Sequence, residues 1–298
     1  MKSYTTLRNT YGKITLDASS DNLTFGDEIM NDEHRTICAM RDWPFLHRLR
    51  TATTIASTTF VEVAYDVEQI ESVFVTVGTT RYNPRPAPSR AFWDQLHYSV
   101  QTSDTPEYWI FYNGQLGLWP RPASSSNTIS MNAKIRVRDL NIADITSSTI
   151  TTLANGGTAL TVSAGLTVQM AGFYIRPTMS TTANTGDGNW YELSSVTNAT
   201  TGTLVRGYAG VSIAAGTAAC TIGQMPLTPE FAHDAPMYIA AGTYWYQNGN
   251  SEKGDKYNGI AERKLKILTT QYVSGSNDMV IDDGGDNEVD NPNLYVSL

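Results

Sequence analysis

The stretch Ile150-Thr151-Thr152-Leu153-Ala154-Asn155-Gly156-Gly157-Thr158-Ala159-Leu160-Thr161-Val162-Ser163 contains two short β-prone runs separated by Asn-Gly-Gly. Asn and Gly supply the left-handed backbone that a tight turn needs, so the segment predicts two short strands separated by a turn. It lies in a long tract of unusual composition. Between Asn141 and Gln224 the only charged residues are Asp144, Arg176, Asp187, Glu192 and Arg206, set among Thr, Ser, Gly and Ala. Further β-rich runs at residues 168–176, 190–196, 203–205 and 218–222 are divided by turn residues such as Gly186-Asp187-Gly188. The tract therefore predicts a small all-β sandwich or barrel over residues 141–225.

Working outward, the flanks read differently. Over residues 22–41, Phe25, Ile29, Met30, Ile37 and Met40 recur near a 3.6 period and predict an amphipathic helix. It stops at Asp42-Trp43-Pro44-Phe45-Leu46, where Pro44 disfavours helical backbone at the preceding residue. Trp43, Pro44 and Phe45 are thus expected to anchor the chain at the helix exit. Residues 48–54, 58–63 and 72–77 read as short strands, 65–69 as a helical turn and 90–97 as a brief helix. Tyr108-Trp109-Ile110-Phe111-Tyr112, Asn113-Gly114, Gln115-Leu116-Gly117-Leu118-Trp119 is a hairpin pattern, with Asn-Gly at the two positions of a type I′ turn.

Helical periodicity returns beyond the insert. Phe231, Ala235, Tyr238, Ala241 and Trp245 share a face of a helix expected to begin at Thr228-Pro229-Glu230 and to kink at Pro236. Tyr257, Ile260, Ala261, Leu265, Leu268 and Tyr272 line a second helix, close enough in sequence to form an antiparallel hairpin. The expected fold class is α+β. A helical body, the N-terminal helix plus the C-terminal helical hairpin, carries short strands and is interrupted by the inserted small all-β sandwich or barrel module. The boundaries expected are 1–140 and 226–272 for the body, 141–225 for the module and 273–298 for an acidic extended tail.

The 298 residues carry a net charge of −8, with 17% charged and 41% hydrophobic residues. The charge is uneven: no basic residue follows Lys266, whereas Asp278, Asp282, Asp283, Asp286, Glu288 and Asp290 crowd the C-terminal end. A protein that grips nucleic acid through its phosphates needs a basic surface, so specific DNA or RNA binding is not expected. Met1 to Arg8 has no apolar core of a signal peptide, and no window is apolar enough for a membrane span, so neither secretion nor a membrane is expected. Cys38 and Cys220 sit in a helical and a strand pattern and read as two reduced, buried thiols.

No pattern for catalysis emerges. GxSxG, phosphate-binding loops, HExxH and CxxC are absent, and His34, His47, His97 and His233 fall in different elements. Asp282-Asp283-Gly284-Gly285-Asp286-Asn287-Glu288 offers oxygen ligands but departs from EF-hand spacing. No catalytic residue, metal site or cofactor is therefore assigned, and an enzyme is not expected. Among six tryptophans only Trp93 and Trp190 lie outside clear core patterns, leaving a sugar-stacking surface as the alternative use.

Several of these segments together resemble the head-to-tail adaptor (connector, or head-completion) proteins of tailed bacteriophages. The resemblance is carried by the N-terminal helix running into Arg41-Asp42-Trp43-Pro44-Phe45-Leu46, by Tyr65-Asp66-Val67 ahead of Ile70-Glu71-Ser72-Val73, and by Tyr112 to Pro120. It continues at Ala171-Gly172-Phe173-Tyr174-Ile175-Arg176, at Asn189-Trp190-Tyr191-Glu192-Leu193-Ser194-Ser195-Val196 and in the final helices, covering about residues 20 to 270. It implies a structural virion protein of the neck, assembled in the host cytoplasm. Such proteins form a homo-oligomeric ring, commonly a dodecamer, with the portal protein on one side and tail or nozzle proteins on the other. DNA passes through the channel on ejection without specific binding, which suits a sequence with little basic charge. The alternative from another class is a carbohydrate-binding or carbohydrate-cleaving tail component acting on the host surface.

The tail closes in Leu294-Tyr295-Val296-Ser297-Leu298 after its acidic spacer. Leu294, Tyr295, Val296 and Leu298 form an apolar, β-prone cluster, expected to dock on the portal or a neighbouring subunit. The competing expectation is a mobile, solubilising tail.

Overall fold

The structure, a computed structural model, describes residues 1–96, 98, 100–179 and 186–273. Helices α1 (Tyr4–Thr15) and α2 (Ser20–Ala39) come first, followed by β1 (His47–Thr53), β2 (Phe60–Glu62), β3 (Val67–Val77), β4 (Thr80–Tyr82) and β5 (Arg85–Pro86). Next are α3 (Arg90–Leu96), β6 (Tyr108–Tyr112), β7 (Gln115–Trp119) and β8 (Thr128–Ile135). The charge-poor tract forms β9 (Thr149–Leu153), β10 (Ala159–Val162), β11 (Tyr174–Pro177), β12 (Tyr191–Val196), β13 (Thr201–Leu204) and β14 (Ile213–Gly223), and the described residues end in α4 (Ala235–Gln247) and α5 (Ser251–Val273). Among the described residues, no helix is long and apolar enough to cross a membrane.

The expected helical body is not the architecture found. The protein is mixed α/β, with five helices and three sheets among the described residues, one of them a closed barrel. Residues 47–135, whose pattern suggests short strands attached to helices, build two four-stranded sheets ordered β1-β8-β3-β4 and β2-β7-β6-β5. The two sheets share one core: Val73, Val75, Ile129 and Met131 from the first meet Val61, Trp109, Leu116 and Leu118 from the second. Alternation puts these residues on one face of each strand, and burying them is what stabilises a two-sheet layer of this size.

One strand departs from its sequence pattern for an identifiable reason. Residues 65–69 read as a helical turn, whereas Val67 opens β3, in which the buried Val67, Ile70 and Val73 are spaced by three. In β3 that spacing comes from register shifts against β8 between Val67 and Gln69 and between Ile70 and Ser72. Each bulge inserts a residue, so buried positions drift from period two to period three while the backbone stays extended. The hairpin β6–β7 pairs Tyr112 with Gln115 across Asn113 and Gly114, both at positive φ.

The charge-poor tract closes into a six-stranded barrel ordered β10-β13-β12-β11-β14-β9. Ile150, Leu153, Leu160, Val162, Ile175, Leu193, Leu204 and Ile222 fill it, joined by Tyr191 and Tyr208, whose rings meet edge to face at 5.4 Å. Closure leaves no unpaired sheet edge, which suits strands that are mostly short. The polypeptide enters and leaves the barrel at one place. Ile145 and Ile222 exchange backbone hydrogen bonds of 2.8 and 2.9 Å.

Two compact units result among the described residues, one of residues 45–227 with residues 1 and 3–5, the other of residues 2, 6–44 and 228–273. The second is helical. Leu7, Tyr11 and Met30 from α1 and α2 pack with Met237, Ala240 and Ala241 of α4. Polar composition conceals α1 in the sequence, although Leu7, Tyr11 and Ile14 share one helical face. Ser19 caps α2, its side chain accepting from the Asn22 N–H. Pro236 does not kink a helix begun at Thr228. It sits in the first turn of α4, where its missing N–H costs nothing, and residues Glu230–Ala232 form a separate 3-10 turn.

Candidate functional site

The most concentrated chemistry in the sheet-and-barrel unit is a buried charge cluster. Alternation along β1 turns Arg48 and Arg50 to the core side, opposite Ala133 and Met131 of β8. The Arg50 guanidinium grips Asp66, with Nη2 2.6 Å from Oδ2 and Nε 3.2 Å from each carboxylate oxygen. It also donates from Nη2 to Glu192 Oε1 of β12 at 2.9 Å. Arg48 pairs with the other oxygen of Glu192 and donates to the Tyr174 hydroxyl of β11 at 3.4 Å. Side chains from the first sheet and from the barrel therefore meet on one carboxylate.

A third guanidinium completes the arrangement. Arg138 donates to the carbonyls of Gln169 and Ala171. Between them and Asp66 stands Gly172, at φ +83°, where a Cβ would lie 2.9 Å from Asp66 Oδ2 and 3.2 Å from Arg138 Nη2. Only glycine fits this position.

The electrostatics are those of a paired cluster. Burial alone pulls the Arg48 and Arg50 guanidiniums down, but Tyr174 and Glu192 beside Arg48, and Asp66 and Glu192 beside Arg50, hold both above the ordinary arginine value. Burial and the neighbouring Glu192 carboxylate raise Tyr174. Charges removed from water this completely need partners on every side, and they have them here. Each of these hydrogen bonds ends on a protein acceptor, so the cluster fastens barrel to sheet.

The helical unit holds a second polar cluster. Asp234 receives the Lys2 ammonium on Oδ2 at 2.5 Å and lies 2.9 Å from that of Lys264 on Oδ1. Although burial raises its carboxyl, the two lysine ammonium groups prevail and hold it below the usual aspartate value. Beside it, His233 Nδ1 accepts from the Lys2 backbone N–H at 3.2 Å. Burial pushes His233 and His34 down to about 4.

Of the anchor residues, Trp43 is buried, with 1% of its surface exposed, and its indole N–H donates to the Ile37 carbonyl at 2.7 Å. Pro44 is exposed and Phe45 half-buried, in the 3-10 turn Pro44–Leu46. The docking cluster Leu294, Tyr295, Val296 and Leu298 and the acidic spacer lie outside the described residues. Trp93 is buried, and the Arg176 guanidinium sits 4.9 Å from the Trp190 ring centre, covering one face. Cys38 and Cys220 are both free and buried. Among the described residues, no group of His, Cys, Asp and Glu is placed to hold a metal ion.

No local motif marks the charge cluster, yet the sequence carries a trace of it. Glu192 is one of five charges in a tract of more than eighty residues, and it follows Trp190 and Tyr191 in a strand. A charge retained in a core-forming strand of a charge-poor module implies a buried partner of opposite sign.

On the surface, the loop between α3 and β6 holds Tyr98 at 92% and Val100 at 71% exposure, two residues apart. Isolated exposed apolar residues are ordinary, but a large aromatic and a β-branched residue so close in sequence leave apolar surface in water. No protein-family model matches the sequence, and no curated protein matches it.

Proposed function

We propose that this protein is a structural subunit, a ring-forming adaptor between the portal of a tailed phage head and the tail. The observation that carries the reading is the Tyr98–Val100 loop, whose apolar side chains stand in water in the single subunit. Burial against a second copy would recover the free energy that exposure forgoes. Two further features support it. A barrel fastened to a sheet by a buried ion cluster is a stiff body, which suits a load-bearing part. The low basic charge suits a channel that DNA must traverse without sticking.

Mass photometry of the protein, alone and mixed with portal, tests the reading. Rings are expected in at least one of these states, and Tyr98→Ser with Val100→Ser should reduce them while leaving the melting temperature unchanged. A protein that remains a monomer at every concentration and ignores portal would overturn the proposal.

A further inference from the structure

Four Asn-Gly pairs occur in the sequence, at 113–114, 155–156, 248–249 and 258–259. An Asn followed by Gly can convert without an enzyme. The Gly backbone nitrogen gives its proton to hydroxide and attacks the amide carbonyl carbon of the Asn side chain. A new bond from that nitrogen to that carbon closes a five-membered imide, as the bond to the amide nitrogen breaks and that nitrogen takes a proton from water, so that ammonia leaves and the hydroxide is regenerated. Water then opens the ring, giving aspartate if it cuts the bond made in the first step and isoaspartate if it cuts the original backbone bond. Nothing is oxidised or reduced, and the only co-reactant is water. The reaction needs a Gly nitrogen that is free to attack and an Asn side chain free to turn.

The fold withholds these conditions at three of the four pairs. Gly156 N–H donates to the Tyr208 carbonyl at 2.7 Å, and Asn155 Nδ2 donates to the carbonyls of Ala209 and Gly210 at 3.3 and 2.8 Å. Gly249 N–H donates to the Tyr246 carbonyl at 3.0 Å, and Asn248 Nδ2 to the Tyr244 carbonyl at 2.8 Å. Asn258 and Gly259 lie inside α5, where backbone nitrogens belong to the helical hydrogen-bond ladder.

Asn113-Gly114 is different. The pair forms the exposed tip of the β6–β7 hairpin, and among the described residues neither the Asn113 side chain nor the Gly114 N–H has a hydrogen-bond partner. Asn113 is held left-handed at φ 50°, and apart from Gly114 itself and its two chain neighbours no heavy atom lies within 4 Å of where a Cβ on Gly114 would stand. Ring closure requires the tip to rotate out of this turn, and nothing near Gly114 packs against it to resist.

We infer that Asn113 is a site of spontaneous, fold-selected deamidation and isomerisation, to which the other three Asn-Gly pairs are closed. An isoaspartate there lengthens the backbone by one carbon between Tyr112 and Gln115, at the point where the register of the hairpin is set.

The test is peptide mapping by mass spectrometry, with enzymatic methylation to count isoaspartate, on full-length protein aged at neutral and at mildly alkaline pH. The folded protein should lose amide at Asn113 alone, faster at the higher pH, and Asn113→Ser should abolish the isoaspartate signal. Protein aged in urea should react at all four pairs, because unfolding frees every nitrogen. Equal reaction at the four pairs in the folded protein, or preference for 155, 248 or 258, would overturn the inference. So would an Asn113 that stays intact in the folded protein while it reacts in urea.

Discussion

Arg50 and Asp66 face each other with 1% and 0% of their side chains exposed, joined by a 2.6 Å contact and two of 3.2 Å. Removing one member of such a pair strands the other as an unpaired buried charge. Asp66→Ala is expected to destabilise the protein by about 3–5 kcal/mol. The double variant Arg50→Met with Asp66→Leu should recover most of that loss, because it removes both charges at similar volume. Urea denaturation of the single and double variants measures both; additive losses would mean the pair is not coupled.

Trp43 fills core space as well as donating to Ile37, so Trp43→Ala should cost on the order of 3–5 kcal/mol. Trp43→Phe should cost less, since most of the ring volume is kept. An alanine variant that melts at the wild-type temperature would contradict the burial.

Gly26 lies inside α2, where Gly→Ala ordinarily gains about 1 kcal/mol of helix propensity. Here the added Cβ would stand 2.4 Å from the Tyr11 ring, and the ring is tethered by its hydroxyl, which donates to Asn22 Oδ1 at 2.9 Å. The clash should dominate, so Gly26→Ala is expected to destabilise by about 1–3 kcal/mol. Thermal melts of Gly26→Ala and of Gly26→Ala with Tyr11→Leu check this, the second restoring stability relative to Tyr11→Leu alone.

His34 and His233 are held at about 4 in the folded protein against an ordinary value of 6.5. Between those values the unfolded state binds more protons than the folded one. Stability is therefore full above pH 6.5 and falls as pH drops from 6.5 towards 4, by on the order of 3 kcal/mol for each histidine. Denaturation midpoints across this range should fall in the wild type and fall less in His34→Gln, and a flat wild-type profile would refute the assignment.

Local patterns were legible wherever one residue type dictates geometry. Asn113-Gly114 marks its hairpin because both residues accept positive φ, and the charge-poor tract marks the barrel because its short runs of Val, Ile, Leu and Thr, broken by turn residues, leave little room for helix. Assembly was harder to read. Nothing local shows that residues 47–135 form two sheets with their own core rather than a fringe on helices, since β1 and β8 pair across some eighty residues of sequence. The bulges in β3 imitate helical spacing, and the polar surface of α1 conceals Leu7 and Tyr11. The charge cluster joins Arg50, Asp66 and Glu192 from separate segments, which only folding brings together.

Ile145 and Ile222 meet at a single doorway into the barrel, so the segment between them could be exchanged by recombination as one contiguous cassette without altering the strands on either side. The exchange is not unrestricted. Arg48 and Arg50 remain behind, and an incoming cassette that brings no acid to the position of Glu192 would leave part of their charge unmatched. Relatives with different barrels at this doorway should therefore be constrained as a pair, either keeping an acid at this contact or losing an arginine from β1.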